Sequence, residues 1–349
     1  MEDFMSEVCV TGDFLENLCV GESVQAYAPV RSKQNAAIRK KEKKEIPVFF
    51  AADENYLPFL DVCLRSVKEK ASKKYNYKIY VLNSGVSGRS AERIMKLDDA
   101  GFSISFVDVS ERLQEVSKFF QLRDYYTSAI YYRLFIVGLF PQYDKALYLD
   151  CDTVMLGDVS ELYNYELGNN LIGAVADSAV AAVPEFQKYT KQVLGIDGNK
   201  YFNSGVILMN LKQFRAENFY ENFYKLLKSY RFVVAPDQDC LNLLCKNKVK
   251  YLSDTWNRMP IHGQCKDVPK LIHYNLTMKP WHYDDVMYRE YFWQYAEKSE
   301  FYQEILAHRA AFTPAMAARD AEGAKNLIVL ADAEADREDN YYRLYGDKQ

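Results

Sequence analysis

The chain has 349 residues, 49% of them apolar, enough for one large or two smaller domains at roughly 150 residues per domain. Lys and Arg number 44 against 48 Asp and Glu, so the net charge of −4 gives no general attraction to phosphate backbones and excludes nucleic acid as a main partner. The first residues lack the basic and apolar regions of a secretory signal, and no run approaches about 20 unbroken apolar residues, so neither leader nor membrane span is expected.

Residues 1–45 read as an N-terminal extension. A sparse apolar stretch (Phe14, Leu15, Leu18) leads into the basic linker Arg39-Lys40-Lys41-Glu42-Lys43-Lys44. From Ile46 to about residue 300 the pattern is that of a folded domain. Ile46–Ala52 predicts a strand ending in polar Asp53-Glu54-Asn55, and Leu57, Leu60, Leu64 and Val67 have helical spacing. Lys78–Leu82 predicts a strand, Ser87 caps a helix that stops at Gly101, and Phe102–Val107 alternates as a further strand. Thr127–Leu139 reads as helical, and Ala146–Leu149 as a buried strand that runs into Asp150-Cys151-Asp152. Leu171–Ala176 ends at Asp177, Val206–Met209 follows Asn203-Ser204-Gly205, Phe214–Tyr230 looks helical, and Lys270–His273 makes a short strand. Beyond Phe301 a helical C-terminal tail is expected outside the core, without a strongly basic amphipathic face.

Repeated strand–helix–strand units predict an α/β fold, a mainly parallel mixed sheet with helices on both faces. In such sheets ligands bind at the carboxyl ends of the strands, where Asp53 and the Asp150/Asp152 pair would share one crevice. The seven cysteines (Cys9, Cys19, Cys63, Cys151, Cys240, Cys245, Cys265) form no Cys-x-x-Cys pair, the pattern of reduced thiols, and the expected location is cytoplasmic. The 28 tyrosines are mostly expected half-buried in strands and helices.

Asp150-Cys151-Asp152 carries the main chemical signal. Two carboxylates two positions apart at a strand end can turn towards one divalent ion once the chain leaves strand geometry, and oxygen ligands suit Mg2+ or Mn2+. Taken by itself the string equally describes a solvated loop. His273 ends a strand with Lys279 six positions later, so an imidazole and an ammonium could reach a diphosphate held by the same metal. Adding imidazole to the carboxylates favours Mn2+ over Mg2+. His262, His282 and His308 read as ordinary hydrogen-bonded residues.

In chain order the motifs are Phe50-Ala51-Ala52-Asp53-Glu54-Asn55-Tyr56, Tyr131-Tyr132-Arg133-Leu134, Leu147-Tyr148-Leu149-Asp150-Cys151-Asp152, Tyr201-Phe202-Asn203-Ser204-Gly205-Val206, Asp237-Gln238-Asp239, and His273-Tyr274 with Lys279-Pro280-Trp281. Together, over roughly Ile46 to Tyr283, they resemble the family 8 retaining glycosyltransferases, which include lipopolysaccharide galactosyl- and glucosyltransferases and the glycogenins. The resemblance implies a Rossmann-like nucleotide-diphospho-sugar transferase fold of the GT-A type, a UDP-hexose donor, a glycan or glycolipid acceptor, and Mn2+ with Mg2+ as the alternative. It implies that Ala51, Asp53, Asn55 and Tyr56 hold uridine, that Asp150, Asp152 and His273 hold the metal beside Cys151, and that Lys279 holds the diphosphate. Arg133, Asp177, Asn203 and Asp237 would position the donor sugar, with Gln238 beside its anomeric carbon. For some members it also implies peripheral contact with the inner face of the plasma membrane; it leaves the oligomeric state open.

The chain departs from the family pattern at Leu276, where a glycine is usual three positions after the histidine. A leucine does not easily take positive φ and crowds a close backbone approach to phosphate. Two other readings compete with the transferase. Asp150-Cys151-Asp152-Thr153 fits the string of haloacid-dehalogenase-like phosphatases, although about a hundred residues of strand–helix units precede it. A sugar-nucleotide-binding protein without catalysis is the non-enzymatic rival.

Overall fold

The computed structural model describes residues 43–116, 128–261 and 267–346. The N-terminal extension to residue 42, with Cys9 and Cys19, and also Thr127, His262 and Cys265 lie outside the described residues. The strands are β1 (Glu45–Ala51), β2 (Asn76–Asn83), β3 (Phe102–Asp108), β4 (Ala146–Leu149), β5 (Thr153–Met155), β6 (Ile172–Ala176), β7 (Phe202–Met209), β8 (Val249–Tyr251) and β9 (Leu271–His273). Seven of them form one mixed sheet in the order β3-β2-β1-β4-β7-β6-β8; β5 and β9 form a separate two-stranded ladder.

The helices are α1 (Leu57–Lys70), α2 (Gly88–Met95), α3 (Ser110–Val116), α4 (Ile136–Leu139), α5 (Val159–Tyr163), α6 (Ser178–Ala182), α7 (Pro184–Val193), α8 (Leu211–Ala216), α9 (Phe219–Ser229), α10 (Pro236–Leu244), α11 (Arg289–Ala296), α12 (Tyr302–Ala311), α13 (Pro314–Asp336) and α14 (Tyr341–Tyr345). Ser87 caps α2 through its side chain, as its position predicts. Two expected helices differ. Ser128–Phe135 is a 3-10 helix followed by the single turn of α4, and the stretch from Phe214 breaks into α8 and α9 at Asn218, whose φ of 52° is left-handed. Asparagine tolerates that conformation because its short polar side chain bonds locally.

The sheet is mainly parallel but mixed, as expected. β1, β2, β3 and β4 run parallel, but β7 lies antiparallel to both β4 and β6. Its polar residues, Asn203 and Ser204, stand at its start, so reversal brings them to the edge where β1, β4 and β6 end. The Asp150 N–H bonds the Gly205 carbonyl at 2.7 Å, and the Asp177 N–H bonds that of Tyr201 at 2.8 Å. All eight residues of β7 are buried, as expected for a central strand covered on both faces.

The C-terminal helices also differ from the expected tail outside the core. α13 packs along α7, and Leu327, Ala331 and Ala335, spaced four apart on one face, join the central apolar cluster with Tyr341 of α14. The two alanines, both fully buried, let the helix backbones approach closely. α12 packs against α1, and Ile305 joins Phe59, Trp281 and Phe292 in a separate cluster. No helix among the described residues is long and apolar enough to cross a membrane.

Candidate active site

A cleft runs along the carboxyl edge of the sheet. At one end are Ala51, the last residue of β1, and Asp53 and Tyr56 just past it, where Asp53 caps a short 3-10 turn by accepting the Tyr56 N–H at 3.1 Å. Asn55 is exposed and lies outside the cleft lining, so of the residues expected to hold the donor it is the one the fold does not bring in. Cys151 lines the cleft, but its thiol donates to the Ala51 carbonyl at 3.1 Å, and burial holds its pKa well above the usual thiol range.

In the middle stand Asp150, Asp152 and His273, which among the described residues are the group able to hold a metal, their ligand atoms lying within 4.8 Å of one another. The β5–β9 ladder creates this meeting. Thr153 pairs with His273, and the Tyr274 N–H bonds the Asp152 carbonyl at 2.9 Å, so the histidine arrives beside the carboxylates from a segment 120 residues later. Asn257 fixes the ring. Its amide nitrogen donates to Asn203 Oδ1 at 2.9 Å, which turns its oxygen to accept from His273 Nδ1 at 2.9 Å. That bond puts a proton on Nδ1, and Nε2 faces Asp152 Oδ1 at 3.3 Å.

Asp152 Oδ1 is buried and has no hydrogen-bond partner. With its proton on Nδ1 alone, the ring offers the Nε2 lone pair, and this oxygen and that nitrogen can then share one cation between them. Gly205 supplies the space, because a Cβ there would stand 2.5 Å from Asp150 Oδ2 and closer still to His273 Cε1. The orphaned oxygen, the oriented imidazole and the glycine cradle fit a divalent ion with mixed oxygen and nitrogen ligands.

Arg133 forms the floor. Its guanidinium donates to Asp150 Oδ1 at 3.0 Å, to the Ser204 carbonyl at 2.5 Å and hydroxyl at 3.0 Å, and to the Ile130 carbonyl at 3.0 Å, stacking over the Tyr148 ring at 4.3 Å. Asp237 Oδ2 lies 3.5 Å away. Burial disfavours the guanidinium, but Asp150 and Asp237 outweigh this and hold its pKa above the usual arginine value. Asp237 itself is pushed up by burial, with Arg133 opposing. Lys279 bonds Asp152 Oδ2 and the Tyr274 carbonyl. Burial opposes both charges of that pair; even so, each partner shifts the other towards its ionised form.

Beyond the carboxylates, Gln238 at the first turn of α10 accepts the Ser204 N–H at 2.8 Å and donates to Asp177 Oδ2 at 3.1 Å, where Asn203 also donates at 3.0 Å. Asp177 Oδ1 caps α6 through the Ala179 and Val180 N–H groups. Asp177 thus holds Asn203 and Gln238, and the Gln238 carbonyl keeps one lone pair for the cleft.

The turn after His273 overturns the expectation for Leu276. Its φ is 51°, so the leucine keeps the left-handed geometry a glycine would take, at a cost of about 1–2 kcal/mol. The side chain escapes a clash by turning outward, 38% exposed at the cleft wall.

Comparison with known proteins decides the family. Residues 47–285 match the model of glycosyl transferase family 8. The chain belongs to this family. A putative glycosyltransferase of Haemophilus influenzae is 30% identical over 246 residues, 67% of this chain and 72% of that protein. Lipopolysaccharide 1,2-glucosyltransferase of Escherichia coli is 29% identical over 262 residues, again 67% of this chain and 72% of that protein. The crystal structure of the galactosyltransferase LgtC in complex with donor and acceptor sugar analogues superposes with a TM-score of 0.61 at 28% identity, covering 73% of this chain and 96% of that one.

This family 8 glycosyltransferase therefore has the GT-A type α/β fold, and its Asp-x-Asp-x-Thr string is not a phosphatase motif. Sequence reasoning missed several residues that shape the site. Gly205 and Ser204 lay in a quoted motif without a role, whereas Asn257 belonged to no motif. Asp239, below the cleft, accepts 2.7 Å bonds from the Tyr189 and Tyr201 hydroxyls, so these tyrosines face the cleft with their hydroxyls turned away. Leu327 of α13 reaches the same wall.

Proposed function

We propose that this transferase is a retaining, metal-dependent hexosyltransferase that moves glucose or galactose from a UDP-sugar to a glycan or glycolipid acceptor. The observation that carries the reading is the cluster of Asp150, Asp152 and His273, with Asp152 Oδ1 unpaired and 3.3 Å from His273 Nε2, in a cleft that continues to Asp53 and Tyr56 on one side and Gln238 on the other. Asp150, Asp152 and His273 would hold Mn2+, or Mg2+ in its place; when bound, the ion neutralises charge on the diphosphate leaving group. Ala51, Asp53, Tyr56 and the Cys151 backbone take the uridine end. Asn55 would act only from the rim.

The residues of the chain do the remaining work. Lys279 supplies a positive charge to the departing diphosphate. Arg133 holds Asp150, Ser204 and Asp237 in place beneath it. Asp177 and Asn203 orient the amide of Gln238, whose carbonyl faces the positive charge that develops on the sugar ring. Gln238 is a poor nucleophile, which favours front-face attack: the anomeric carbon–phosphate oxygen bond breaks, the acceptor oxygen bonds that carbon on the same face, and the acceptor proton passes to the departing phosphate oxygen. The lipopolysaccharide glucosyl- and galactosyltransferases among the relatives support a hexose donor and a glycan or glycolipid acceptor. A glycolipid acceptor would bring the enzyme to the inner face of the plasma membrane.

The deciding experiment incubates the protein with Mn2+ and a panel of nucleotide sugars, without acceptor, and follows nucleotide diphosphate release against Asp152→Ala. Metal-dependent release from one UDP-sugar, lost in the variant, is expected. UDP that fails to bind in the presence of Mn2+ would overturn the reading. UDP that binds without sugar release, even when glycan acceptors are added, would favour the non-catalytic binding protein.

A further inference from the structure

Both carboxylates of the metal seat already have cationic partners. Arg133 Nη2 donates to Asp150 Oδ1 at 3.0 Å, and Lys279 Nζ bonds Asp152 Oδ2. The ammonium is built in, since Lys279 is 8% exposed and its Nζ is also tied to the Tyr274 carbonyl at 2.6 Å. The turn that delivers it is closed by the Lys279 N–H on the Thr277 carbonyl at 2.7 Å and by the left-handed Leu276. Each carboxylate that would hold the ion is thus already met by a positive side chain. A dication arriving alone would therefore meet carboxylates whose charge is already balanced in part by Arg133 and Lys279, and would be repelled by both cations. A nucleoside diphosphate brings two to three negative charges and offers Lys279 another partner.

We propose that Lys279 is a built-in counter-ion that suppresses donor-free metal binding and is handed from Asp152 to the diphosphate, so that metal and nucleotide enter and leave the cleft as a coupled pair. The proposal rests on the donor reading above and goes beyond it by giving Lys279 a second role, on the metal itself. After transfer, the same exchange releases the ion with the product: as the nucleoside diphosphate departs, the ammonium returns to Asp152 and weakens the hold on the cation.

The test measures Mn2+ affinity by calorimetry or by loss of the free-ion electron paramagnetic resonance signal, with and without UDP, in the wild type, Lys279→Gln, Lys279→Met and Lys279→Arg. Lys279→Gln removes the charge while keeping polar contact with Asp152 and the Tyr274 carbonyl; Lys279→Met removes both. Removing one nearby charge should tighten donor-free Mn2+ binding by about tenfold or more in either neutral variant and abolish most of the further gain on adding UDP. Lys279→Arg should follow the wild type. A lysine that only contacts phosphate would weaken UDP binding on removal without raising affinity for the metal alone. Donor-free Mn2+ binding in folded Lys279→Gln or Lys279→Met no tighter than in the wild type, with UDP still bound by the wild type, would overturn this proposal alone. Absence of UDP binding by the wild type would overturn the donor reading as well.

Discussion

Thr153 and His273 are cross-strand partners in a three-residue ladder, and this one pairing carries the imidazole to the carboxylates of Asp150 and Asp152. A ladder so short fixes the position of the backbone but not the ring. The ring is oriented by Asn257, which bridges Asn203 and His273. Asn257→Leu removes the acceptor for the Nδ1 proton and frees the tautomer. Metal affinity should fall about 10–100-fold, the usual effect of losing such an orienting partner, with little change in the circular dichroism spectrum. A Mn2+ titration showing unchanged affinity would contradict the role assigned to Asn257.

Gly205 is required by space and not by backbone conformation. In Gly205→Ala the new methyl would meet Asp150 Oδ2 and His273 Cε1, and both belong to the proposed metal seat. The expected result is a folded protein destabilised by about 1–3 kcal/mol that no longer responds to Mn2+ in a thermal shift assay. A normal Mn2+ response would mean that the seat is wider than the structure gives.

Gln238 tests the proposed chemistry. Truncation in Gln238→Ala leaves the Ser204 N–H without its acceptor and removes the carbonyl from the ring-facing position. Turnover should drop about 100-fold, the scale of losing one preorganised electrostatic group, while the dissociation constant for UDP stays within a few-fold of the wild type. Near-normal kcat would refute the stabilising role and leave the family assignment intact.

Asp239 predicts a pH effect on stability. Burial pushes its pKa up to about 7, against the bonds from Tyr201 and Tyr189. The folded value lies above the unfolded one of about 3.9, so between these pH values the native state binds more protons than the unfolded state. The associated stability is fully present below about pH 4 and is lost as pH rises through about 7. Asp239→Asn, neutral at every pH, should remove a decline of at most a few kcal/mol between pH 4 and 8, read from urea unfolding at each pH. Parallel pH profiles for wild type and variant would show that Asp239 does not titrate there.

Local chemistry made much of this protein legible in its sequence. Apolar runs bounded by polar residues gave β1 to β4 and β6 nearly to their ends, and Ser87 marked the start of α2, because burial period and capping are properties of neighbouring residues. Residue type and motif order likewise pointed to Asp150, Asp152, His273 and Lys279 as one group. Tertiary structure alone decided the direction of β7, since the apolar run Val206–Met209 reads the same both ways. It also decided the pairing of β5 with β9, which places His273 across from Thr153, and the entry of Ala331 and Ala335 into the core, which depends on the facing helix. Asn257, Gly205 and Leu276 belong to the same class: an amide that orients a ring, a missing Cβ and a left-handed leucine acquire meaning only from what lies opposite them in space.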